Sequence, residues 1–322
     1  MLQQIKNPIL KEFEEFEQLF SQSFTSPQDQ LLRQVMQYTE TQKGKQVRPI
    51  FALLCGKLCG EINRDTLNIA ASYETLHTAS LIHDDVVDNT MKRRNAPSVN
   101  ALFDNRISVL SGDYLLSKAM RFISETRNPE LFSILCTLGQ TLAEGELLQL
   151  QHAYSIPTED EYIDIIRRKT AVLFTLTAKS AAITAHATEK QMKDITEFAD
   201  MMGICFQIKD DIFDYTPNAQ IGKPTLNDIR EGKVTLPLLH TLQQLPYEAA
   251  QDIMDKAKKG EFTEEYFYNI GTLVAKHHGI EYAECKIDYY ISKAHQSLKE
   301  FEDTPIRDAM MKLLSFTITR NK

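Results

Sequence analysis

Apolar residues recur at intervals of three and four along almost the whole chain. The run Leu131, Ile134, Leu135, Leu138 and Leu142 shows this spacing, which places apolar side chains on one face of an α-helix. A sustained alternation of apolar and polar residues, the pattern of a half-buried strand, is absent from the sequence. The pattern therefore predicts an all-α protein.

Helix-start signals and breaks divide this pattern into about ten to thirteen helices. Thr158, followed three residues later by Glu161, predicts a capping box at the start of one helix. The strongest breaks fall near residues 89–98, 127–129, 154–158 and 216–233. None of them separates regions of different composition, and we find no internal repeat. We therefore expect residues 1–322 to form a single domain.

The composition is that of an ordinary folded protein. Of the 322 residues, 43% are hydrophobic and 25% are charged, close to the averages for globular domains. The formal net charge of −8 leaves no basic field to hold nucleic acid. The N-terminus lacks the apolar run of a signal peptide, and no segment approaches the roughly 18 apolar residues of a membrane span. We expect a cytoplasmic protein that neither binds nucleic acid nor crosses a membrane.

Five cysteines are scattered through the chain, at Cys55, Cys59, Cys136, Cys205 and Cys285. Their spacing does not resemble a disulfide framework. Cys55 and Cys59 lie one helical turn apart, but no second pair of Cys or His accompanies them as a metal site requires. We expect buried, reduced thiols, because a free cysteine behaves as a small hydrophobic residue.

Two runs of aspartates share the pattern Asp-Asp-x-x-Asp. The first aspartate cluster is Asp84, Asp85 and Asp88, and the second aspartate cluster is Asp210, Asp211 and Asp214. On a helix, the first and last carboxylates of each run project from one face about 6 Å apart. Such like charges destabilise a helix unless a cation compensates them, and magnesium commonly takes one or two protein carboxylates together with phosphate oxygens. The repeated pattern predicts two magnesium sites that face a diphosphate.

Two other interpretations of these runs are open. One such run alone is often a solvated acidic helix face, although both runs here are flanked by apolar residues. His83 and Asp84 could also form the His-Asp pair of a helical, metal-dependent phosphohydrolase. That site needs further histidines, whereas His77 lies on a different helix face from His83 and the other histidines occupy no complementary motif.

Cationic residues gather near the two runs. They are Lys45, Arg48, Arg93, Arg94, Lys169, Lys223 and Lys233. Such placement is expected if each of two diphosphates needs arginine forks and lysine charges in addition to metal.

With these motifs the chain resembles a trans-isoprenyl diphosphate synthase of the polyprenyl synthetase family. GKxxRP, HTASLIHDDVVD, RR, GDYLL, KTA, FQIKDDIFDY and GKVTLP occur in the order and spacing of that family, from about Gly44 to Lys233. The resemblance implies an isoprenoid synthase-like helical bundle around a central cavity, and a homodimer. It also implies magnesium-dependent condensation of isopentenyl diphosphate with an allylic diphosphate into a trans-polyprenyl diphosphate.

The resemblance further implies roles for individual residues. Three magnesium ions would be held by Asp84, Asp88 and Asp210, with Asp85, Asp211 and Asp214 in support. The allylic diphosphate would be bound by Arg93, Lys169, Thr170, Gln207 and Lys223, with Lys233 closing over it. The isopentenyl diphosphate would be bound by Lys45, Arg48, His77 and Arg94. Together with the aspartates, Arg93 and Lys169 complete the expected catalytic set.

Three positions depart from common sequences of the family. Lys43 and Asn95 stand where Gly is frequent, and Gln46 stands where Arg is frequent. None of these differences removes an expected ligand, so we expect them to affect loop geometry alone.

Product length is predicted from the helix that precedes Asp84. In short-chain members of the family an aromatic residue four or five positions earlier closes the product tunnel, but here these positions are Ser80 and Ala79. We therefore expect a product longer than fifteen carbons, with the floor set deeper, by Tyr73 or by Met120 and Phe122. Leu76 and Tyr73 lie two and three helical turns before Asp84. The alternative is that Ala79 and Ser80 merely let a neighbouring helix pack closely.

Two other functions are consistent with the aspartate clusters alone. A terpene cyclase also ionises an allylic diphosphate, but it uses no second diphosphate and would leave Lys45, Arg48, His77 and Arg94 without a purpose. A non-catalytic partner subunit of a synthase usually loses its acidic clusters, whereas this chain keeps both.

Overall fold

The computed structural model describes residues 1–25, 29–215 and 226–319, and these residues are almost entirely helical. The helices are α1 (Leu2–Lys6), α2 (Leu10–Ser21), α3 (Gln30–Thr41), α4 (Val47–Cys59), α5 (Arg64–Val87), α6 (Val99–Phe103), α7 (Asn105–Glu125), α8 (Pro129–Gln151), α9 (Glu159–Ile166), α10 (Val172–Thr184), α11 (Glu189–Asp214), α12 (Asn227–Arg230), α13 (Leu236–Gln243), α14 (Tyr247–Lys258), α15 (Glu264–Lys276), α16 (Gly279–Ser297) and α17 (Pro305–Thr319). A 3₁₀ turn occupies Asn7–Ile9, and a π-helical turn occupies Arg167–Ala171. Strands β1 (Lys92–Arg93) and β2 (Ala96–Pro97) form a small antiparallel hairpin. The predicted all-α class is confirmed.

Twelve of the described helices contain 12 residues or more, and the others contain 4 to 8. The longer helices correspond to the ten to thirteen that we expected, because a helix of one or two turns contains too few residues to show an apolar period. No helix within the described ranges is both long and apolar enough to cross a membrane.

Capping side chains fix where two of the helices begin. At α5, the Asn63 side chain accepts from the Thr66 N–H at 3.0 Å, and the Thr66 hydroxyl oxygen accepts from the Asn63 N–H at 3.3 Å. At α9, the Thr158 N–H donates to Glu161 Oε2 at 2.7 Å, and the Glu161 N–H donates to Thr158 Oγ1 at 3.2 Å. Each capping box satisfies backbone donors that have no partner within the helix. The capping box predicted at Thr158 is confirmed.

The chain divides into two compact units. The first unit comprises Met1–Thr137, Leu176–Thr196 and Glu300–Leu313. Helix α5 packs against α2, α4 and α7, and its first half is buried on every side, from Thr66 to Leu76. A helix buried all round belongs to the core, so the first unit is built around α5.

The second unit comprises Leu138–Thr175, Glu197–Lys299 and Leu314–Lys322. Its core gathers apolar side chains from α9, α11 and the helices α13 to α16, and α13 packs against α16. The second aspartate cluster therefore stands at the end of a helix, α11, whose apolar side chains belong to this core. The single domain expected for residues 1–322 stays a prediction.

All five cysteines are free thiols. Cys55, Cys59 and Cys205 are buried, as expected, but Cys136 and Cys285 are exposed, so the prediction of buried thiols is wrong for these two. Cys136 follows the buried Leu135, and the next residue of a helix lies about 100° further round. Helical periodicity therefore turns Cys136 away from the apolar face.

Candidate active site

The first aspartate cluster lies at the end of α5. Asp84 and Asp88 are exposed, whereas Asp85 is only 2% exposed. Asp84 and Asp88 are four residues apart and share one face of the helix, while Asp85 is turned about 100° from Asp84. The exposed pair provides the hard carboxylate oxygens that magnesium prefers.

The buried Asp85 carboxylate binds Arg93. Arg93 Nε donates to the two Asp85 carboxylate oxygens at 2.9 and 3.0 Å, and an Arg93 Nη donates to Oδ1 at 2.7 Å. A guanidinium–carboxylate pair with this geometry fixes the arginine side chain in one orientation. The Asp85 carboxylate therefore holds Arg93 at the end of α5.

Arg94 stands in the two-residue turn between β1 and β2. Arg94 and Asn95 have φ values of 52° and 64°, as the tight hairpin turn with two positive φ angles requires. Asn tolerates this conformation, so Asn95 accommodates the position where Gly is frequent. The Arg94 guanidinium donates to the Gln42 carbonyl and lies against Gly44, where an added Cβ would be 2.4 Å from Arg94 Nη2. Gly44 thus leaves room for Arg94.

A cavity in the first unit combines charged and apolar side chains. Its lining includes Phe20, Phe24, Glu74, His77, Leu81, Asp85, Arg93 and Arg94. Of the residues expected to bind isopentenyl diphosphate, His77 and Arg94 line this cavity. Lys45 is exposed in the loop before α4. Arg48 contacts His77, which lines the cavity.

His77 orients Arg48. An Arg48 Nη lies 2.8 Å from His77 Nε2, and because arginine only donates, the imidazole nitrogen must accept. Burial, together with the positive charges of Arg48, Arg94 and Arg93, holds the pKa of His77 well below its usual value. His77 is therefore a neutral acceptor, and the positive charge at this place comes from the arginines.

The sequence reasoning missed Glu74, which also lines this cavity. Glu74 is 8% exposed, and its Oε2 has no hydrogen-bond partner among the described residues. Burial raises the pKa of Glu74, against the opposing effect of Arg48 and Arg94. A signal was present in the sequence, since Glu74 is an acidic residue within the buried half of α5.

Of the residues expected to set product length, Ala79 belongs to the face of α5 that packs on α7. Ser72 and His83, seven residues before and four after Ala79, lie on the same face. The Ser72 hydroxyl donates to the Ala119 carbonyl at 2.8 Å, and His83 Nε2 lies 3.1 Å from the Val109 carbonyl oxygen. Ala79 is 2% exposed. Ala79 and His83 therefore lie on the face of α5 that packs on α7, and the role of Ala79 in product length stays a prediction.

Ser80 lies on the same face of α5 as Asp84 and Tyr73. Ser80 is half-buried, whereas Leu76 and Tyr73 are 4% and 1% exposed. The Tyr73 hydroxyl forms a 2.8 Å hydrogen bond with Ser180 Oγ, which fixes the ring. The face that carries Asp84 thus has a small residue one turn away and a fixed aromatic ring three turns away.

The second aspartate cluster lies at the end of α11, and its middle residue is again buried. Asp211 is 4% exposed; its Oδ2 accepts from the Tyr162 hydroxyl at 2.6 Å and its Oδ1 accepts from Gln207 Nε2 at 2.8 Å. Gln207 Oε1 in turn accepts from the Thr170 hydroxyl at 2.6 Å. Burial raises the pKa of Asp211 to about 7. Thr170 and Gln207, expected as diphosphate ligands, therefore also hold Asp211, and Tyr162 joins the site unpredicted.

Asp214 is bound to the backbone of α12. Its Oδ1 accepts from the Asn227 N–H and its Oδ2 from the Asp228 N–H, both at 3.0 Å. Asp214 therefore caps α12, while the half-buried Asp210 stands on the preceding helical turn. Burial and the charges of Asp211 and Asp214 raise the pKa of Asp228 well above its usual value. Asp228 is a further acidic residue of the site that the sequence reasoning missed.

Lys169 and Thr170 project from the π-helical turn Arg167–Ala171. Two glycines, Gly145 on α8 and Gly203 on α11, allow these helices to approach the turn. A Cβ added at Gly145 would lie 2.8 Å from Arg168 Cβ, and a Cβ added at Gly203 would lie 2.5 Å from Ala171 Cα. Lys169 Nζ pairs with a Glu146 carboxylate oxygen at 2.6 Å and donates to Gln149 Oε1 at 3.2 Å. Such π-turns occur frequently at functional sites, and this one is held between α8 and α11.

A second cavity, within the second unit, brings the expected residues of this half together. Its lining includes Gln149, His152, Tyr162, Lys169, Gln207, Asp211, Asp228 and Lys233. The Lys233 N–H donates to the Asp228 carbonyl at 2.8 Å, and Lys233 Nζ pairs with Glu231. Lys223 lies outside the described residues.

The donor groups fit a metal ion that completes its shell with substrate. The described residues contain no group of three or more His, Cys, Asp and Glu side chains that could hold a metal ion. Magnesium needs only one or two protein carboxylates where phosphate and water supply the rest. Asp84, Asp88 and Asp210 provide such oxygens.

The sequence also matches a known family. Residues 29–270 match the family model described as polyprenyl synthetase. A curated relative, the octaprenyl diphosphate synthase of Haemophilus influenzae, is 33% identical over 280 residues, which cover 86% of this chain and 85% of that protein.

Solved structures resemble the whole chain. The polyprenyl synthase of Caulobacter crescentus CB15, complexed with calcium and isoprenyl diphosphate, has a TM-score of 0.91 and 28% identity and covers 99% of this chain and 98% of its own. The geranylgeranyl pyrophosphate synthase of Bacteroides thetaiotaomicron has a TM-score of 0.85 and 39% identity, with 98% of each chain covered.

Proposed function

Because the chain belongs to the polyprenyl synthetase family, we propose that it is a magnesium-dependent trans-polyprenyl diphosphate synthase. It is a prenyltransferase that condenses isopentenyl diphosphate with an allylic diphosphate into a product longer than fifteen carbons. The observation that carries the proposal is that both Asp-Asp-x-x-Asp runs end a helix beside a cation-lined cavity, with the middle carboxylate turned inward in each.

The two substrates are assigned to different residues. The allylic diphosphate is bound by Lys169, Thr170, Gln207 and Lys233 of the second unit, together with Arg93 and Lys223, and Thr170 and Gln207 also hold Asp211. Isopentenyl diphosphate is bound by Arg94, Arg48 and Lys45, with His77 orienting Arg48. Arginine suits this task because its planar fork can donate to two phosphate oxygens at once.

Asp84, Asp88 and Asp210 hold the metal, which we propose to be three magnesium ions. When bound, magnesium acts as a Lewis acid that neutralises charge on the departing diphosphate. The calcium bound with isoprenyl diphosphate in the Caulobacter crescentus structure supports the use of a divalent cation.

The residues of the chain then act by electrostatics and by excluding water. As the allylic carbon–oxygen bond breaks, negative charge grows on the leaving diphosphate, and the fixed charges of Arg93, Lys169 and Lys233 stabilise it. The allylic cation must be kept from water, and the apolar face of α5 around Leu76 and Tyr73 supplies dry surroundings. The isopentenyl double bond attacks this cation to form the new carbon–carbon bond, and the resulting cation loses a proton to the released diphosphate, which completes the new chain.

A homodimer is part of the proposal. Along α7, Val109, Leu110 and Met120 are 42%, 68% and 40% exposed. Val109 and Met120, eleven residues apart, lie on one side of the helix, and Leu110 is turned about 100° from Val109. Large apolar side chains exposed along one helix face are typical of an interaction surface. Light scattering of the purified protein tests this, because Leu110→Glu should convert a dimer into a monomer. The cytoplasmic location expected from the sequence stays a prediction.

Incubation with substrates tests the function. The purified chain is incubated with isopentenyl diphosphate and each of three allylic primers, with magnesium or with excess chelator, and the products are sized. We expect linear diphosphates longer than fifteen carbons in magnesium alone. A cyclised hydrocarbon would instead identify a terpene cyclase, absence of any product would fit a non-catalytic subunit, and full activity in chelator would refute the metal sites.

A further inference from the structure

Arg230, the last residue of α12, is held by aromatic rings. Its guanidinium carbon lies 3.8 Å from the ring centroid of Phe267 and 5.6 Å from that of Phe262. The two rings are stacked on each other, 5.6 Å apart with an interplanar angle of 17°. Arg230 Nε is buried and has no hydrogen-bond partner among the described residues. The cation is therefore stabilised here by the ring faces.

The segment that ends in Arg230 needs such external support. Helix α12 has only four residues, and a helix of one turn is not stable by itself. The Asp214 carboxylate accepts from the backbone at its start. At its end, the Tyr154 hydroxyl donates to the Arg230 carbonyl at 3.2 Å, and the Tyr154 N–H donates to the Gly232 carbonyl at 2.8 Å.

Two residues of the second cavity depend on this segment. Asp228 belongs to α12, and the Lys233 N–H donates to the Asp228 carbonyl. Both side chains line the cavity together with Lys169 and Asp211. A displacement of α12 would therefore move Asp228 and Lys233 together and would break the hydrogen bonds by which Asp214 caps α12.

We propose that Arg230, Phe262 and Phe267 form an aromatic clamp that positions α12, and with it Lys233, for binding of the allylic diphosphate. Arg230 acts as a positioning residue, because Lys233 is the group placed to contact the substrate. The inference rests on the proposed function in one respect, the assignment of the second cavity to the allylic diphosphate. Arginine suits the clamp better than lysine, because its flat guanidinium stacks on a ring and is weakly hydrated.

Amide hydrogen exchange and steady-state kinetics of the full-length protein test the clamp. Arg230→Met removes the charge and keeps an apolar side chain of similar length, and Phe267→Leu removes the ring. We expect faster exchange across residues 227–233 in both variants. We also expect about a tenfold lower kcat/KM for the allylic diphosphate, since desolvated cation–π contacts are among the stronger ones. The KM for isopentenyl diphosphate should stay unchanged.

A double variant separates the clamp from general destabilisation. If Arg230 and Phe267 act through one contact, the double variant loses no more than the more severe single variant, and Arg230→Lys keeps part of the activity. The matched control is Lys293→Met, which removes a cation–π contact of 4.5 Å with Tyr289 on α16. Neither of these two residues lines the second cavity, and we expect wild-type exchange at 227–233 and wild-type kinetics.

Any one of three results would overturn the clamp. The first is unchanged exchange at residues 227–233 in Arg230→Met, and the second is a loss of kcat/KM in the double variant equal to the sum of the single losses. The third is a rise in the KM for isopentenyl diphosphate that parallels the effect on the allylic diphosphate. Exchange is measured without substrate, so a wild-type chain that fails to condense refutes the proposed function and leaves the exchange result valid. If far-UV circular dichroism shows that Arg230→Met is unfolded, exchange in Phe267→Leu decides.

Discussion

Gly44→Ala should impair binding of isopentenyl diphosphate while leaving the fold stable. A Cβ at this position would lie 2.4 Å from Arg94 Nη2 and 2.7 Å from Arg94 Cζ, about 1 Å closer than ordinary van der Waals contact. The atoms that must move belong to the flexible end of the Arg94 side chain, so the loss in free energy of unfolding is small. Arg94 must, however, give up its hydrogen bond to the Gln42 carbonyl and its position in the first cavity. A charge-assisted hydrogen bond contributes about 1.5–3 kcal/mol, so kcat/KM for isopentenyl diphosphate should fall by about 10- to 150-fold.

The assay varies each substrate at saturating levels of the other, and urea unfolding of the same samples measures stability. Gly271→Ala in α15 is the matched control, since an added Cβ there has nothing within 4 Å, and alanine should stabilise the helix by up to about 1 kcal/mol. We expect Gly44→Ala to raise the KM for isopentenyl diphosphate alone. A wild-type KM, or equal losses for the two substrates, would show that Gly44 does not serve to place Arg94.

Three further predictions concern other parts of the site. Asp84→Ala or Asp210→Ala should abolish turnover with unchanged circular dichroism, because each removes a carboxylate from the proposed metal site, which would stabilise the departing diphosphate; near-normal turnover in either variant would contradict this. Ser80→Phe should shorten the main product, sized by chromatography, without loss of condensation, because it places a ring one turn from Asp84; unchanged product length would refute the tunnel prediction. The pKa of His77 in the folded chain lies below its value in the unfolded chain. Below about pH 6.5 the unfolded chain therefore binds a proton that the folded chain does not, and the free energy of unfolding decreases by up to about 1.4 kcal/mol for each unit by which the pH falls. His77→Gln should reduce this acid-side loss in urea unfolding at pH 5 and pH 7.5, and an equal pH dependence in both proteins would contradict it.

Helical periodicity anticipated which carboxylates of the aspartate clusters turn outward. Asp84 and Asp88 lie four residues apart and are exposed, and the intervening Asp85 is buried, as a repeat of 3.6 residues per turn requires. The sequence alone could not name the partner of Asp85, because Arg93 reaches it only after the chain reverses direction in the β1–β2 hairpin. Tyr162 and Asp211 are likewise 49 positions apart in sequence. Local spacing thus predicted direction, whereas the partners depend on tertiary contacts.

The differences from common family sequences show a second limit of pattern reasoning. Asn95 and Gln46 both adopt positive φ angles, so what matters at these positions is a backbone conformation that the sequence does not display. Asn95 suits this conformation because its short polar side chain tolerates it. Gln46 stands just before α4 with its amide nitrogen buried. The expectation that these differences affect loop geometry alone stays a prediction, and the geometry itself came only from the structure.

Besides Glu74, Asp228 and Tyr162, sequence reasoning missed residues that act through shape. Gly145 and Gly203 matter because a side chain at either would meet the π-helical turn that carries Lys169 and Thr170. Phe267 matters because its ring covers a cation from a segment 37 positions earlier. A motif such as KTA predicts which groups contact a diphosphate. Such contact would also depend on the backbone that presents these groups, and glycines and aromatic rings hold that backbone in place. A substitution at Gly203 or Phe267 should therefore alter substrate binding as directly as one at Lys169, although nothing in the local sequence distinguishes either residue from ordinary core.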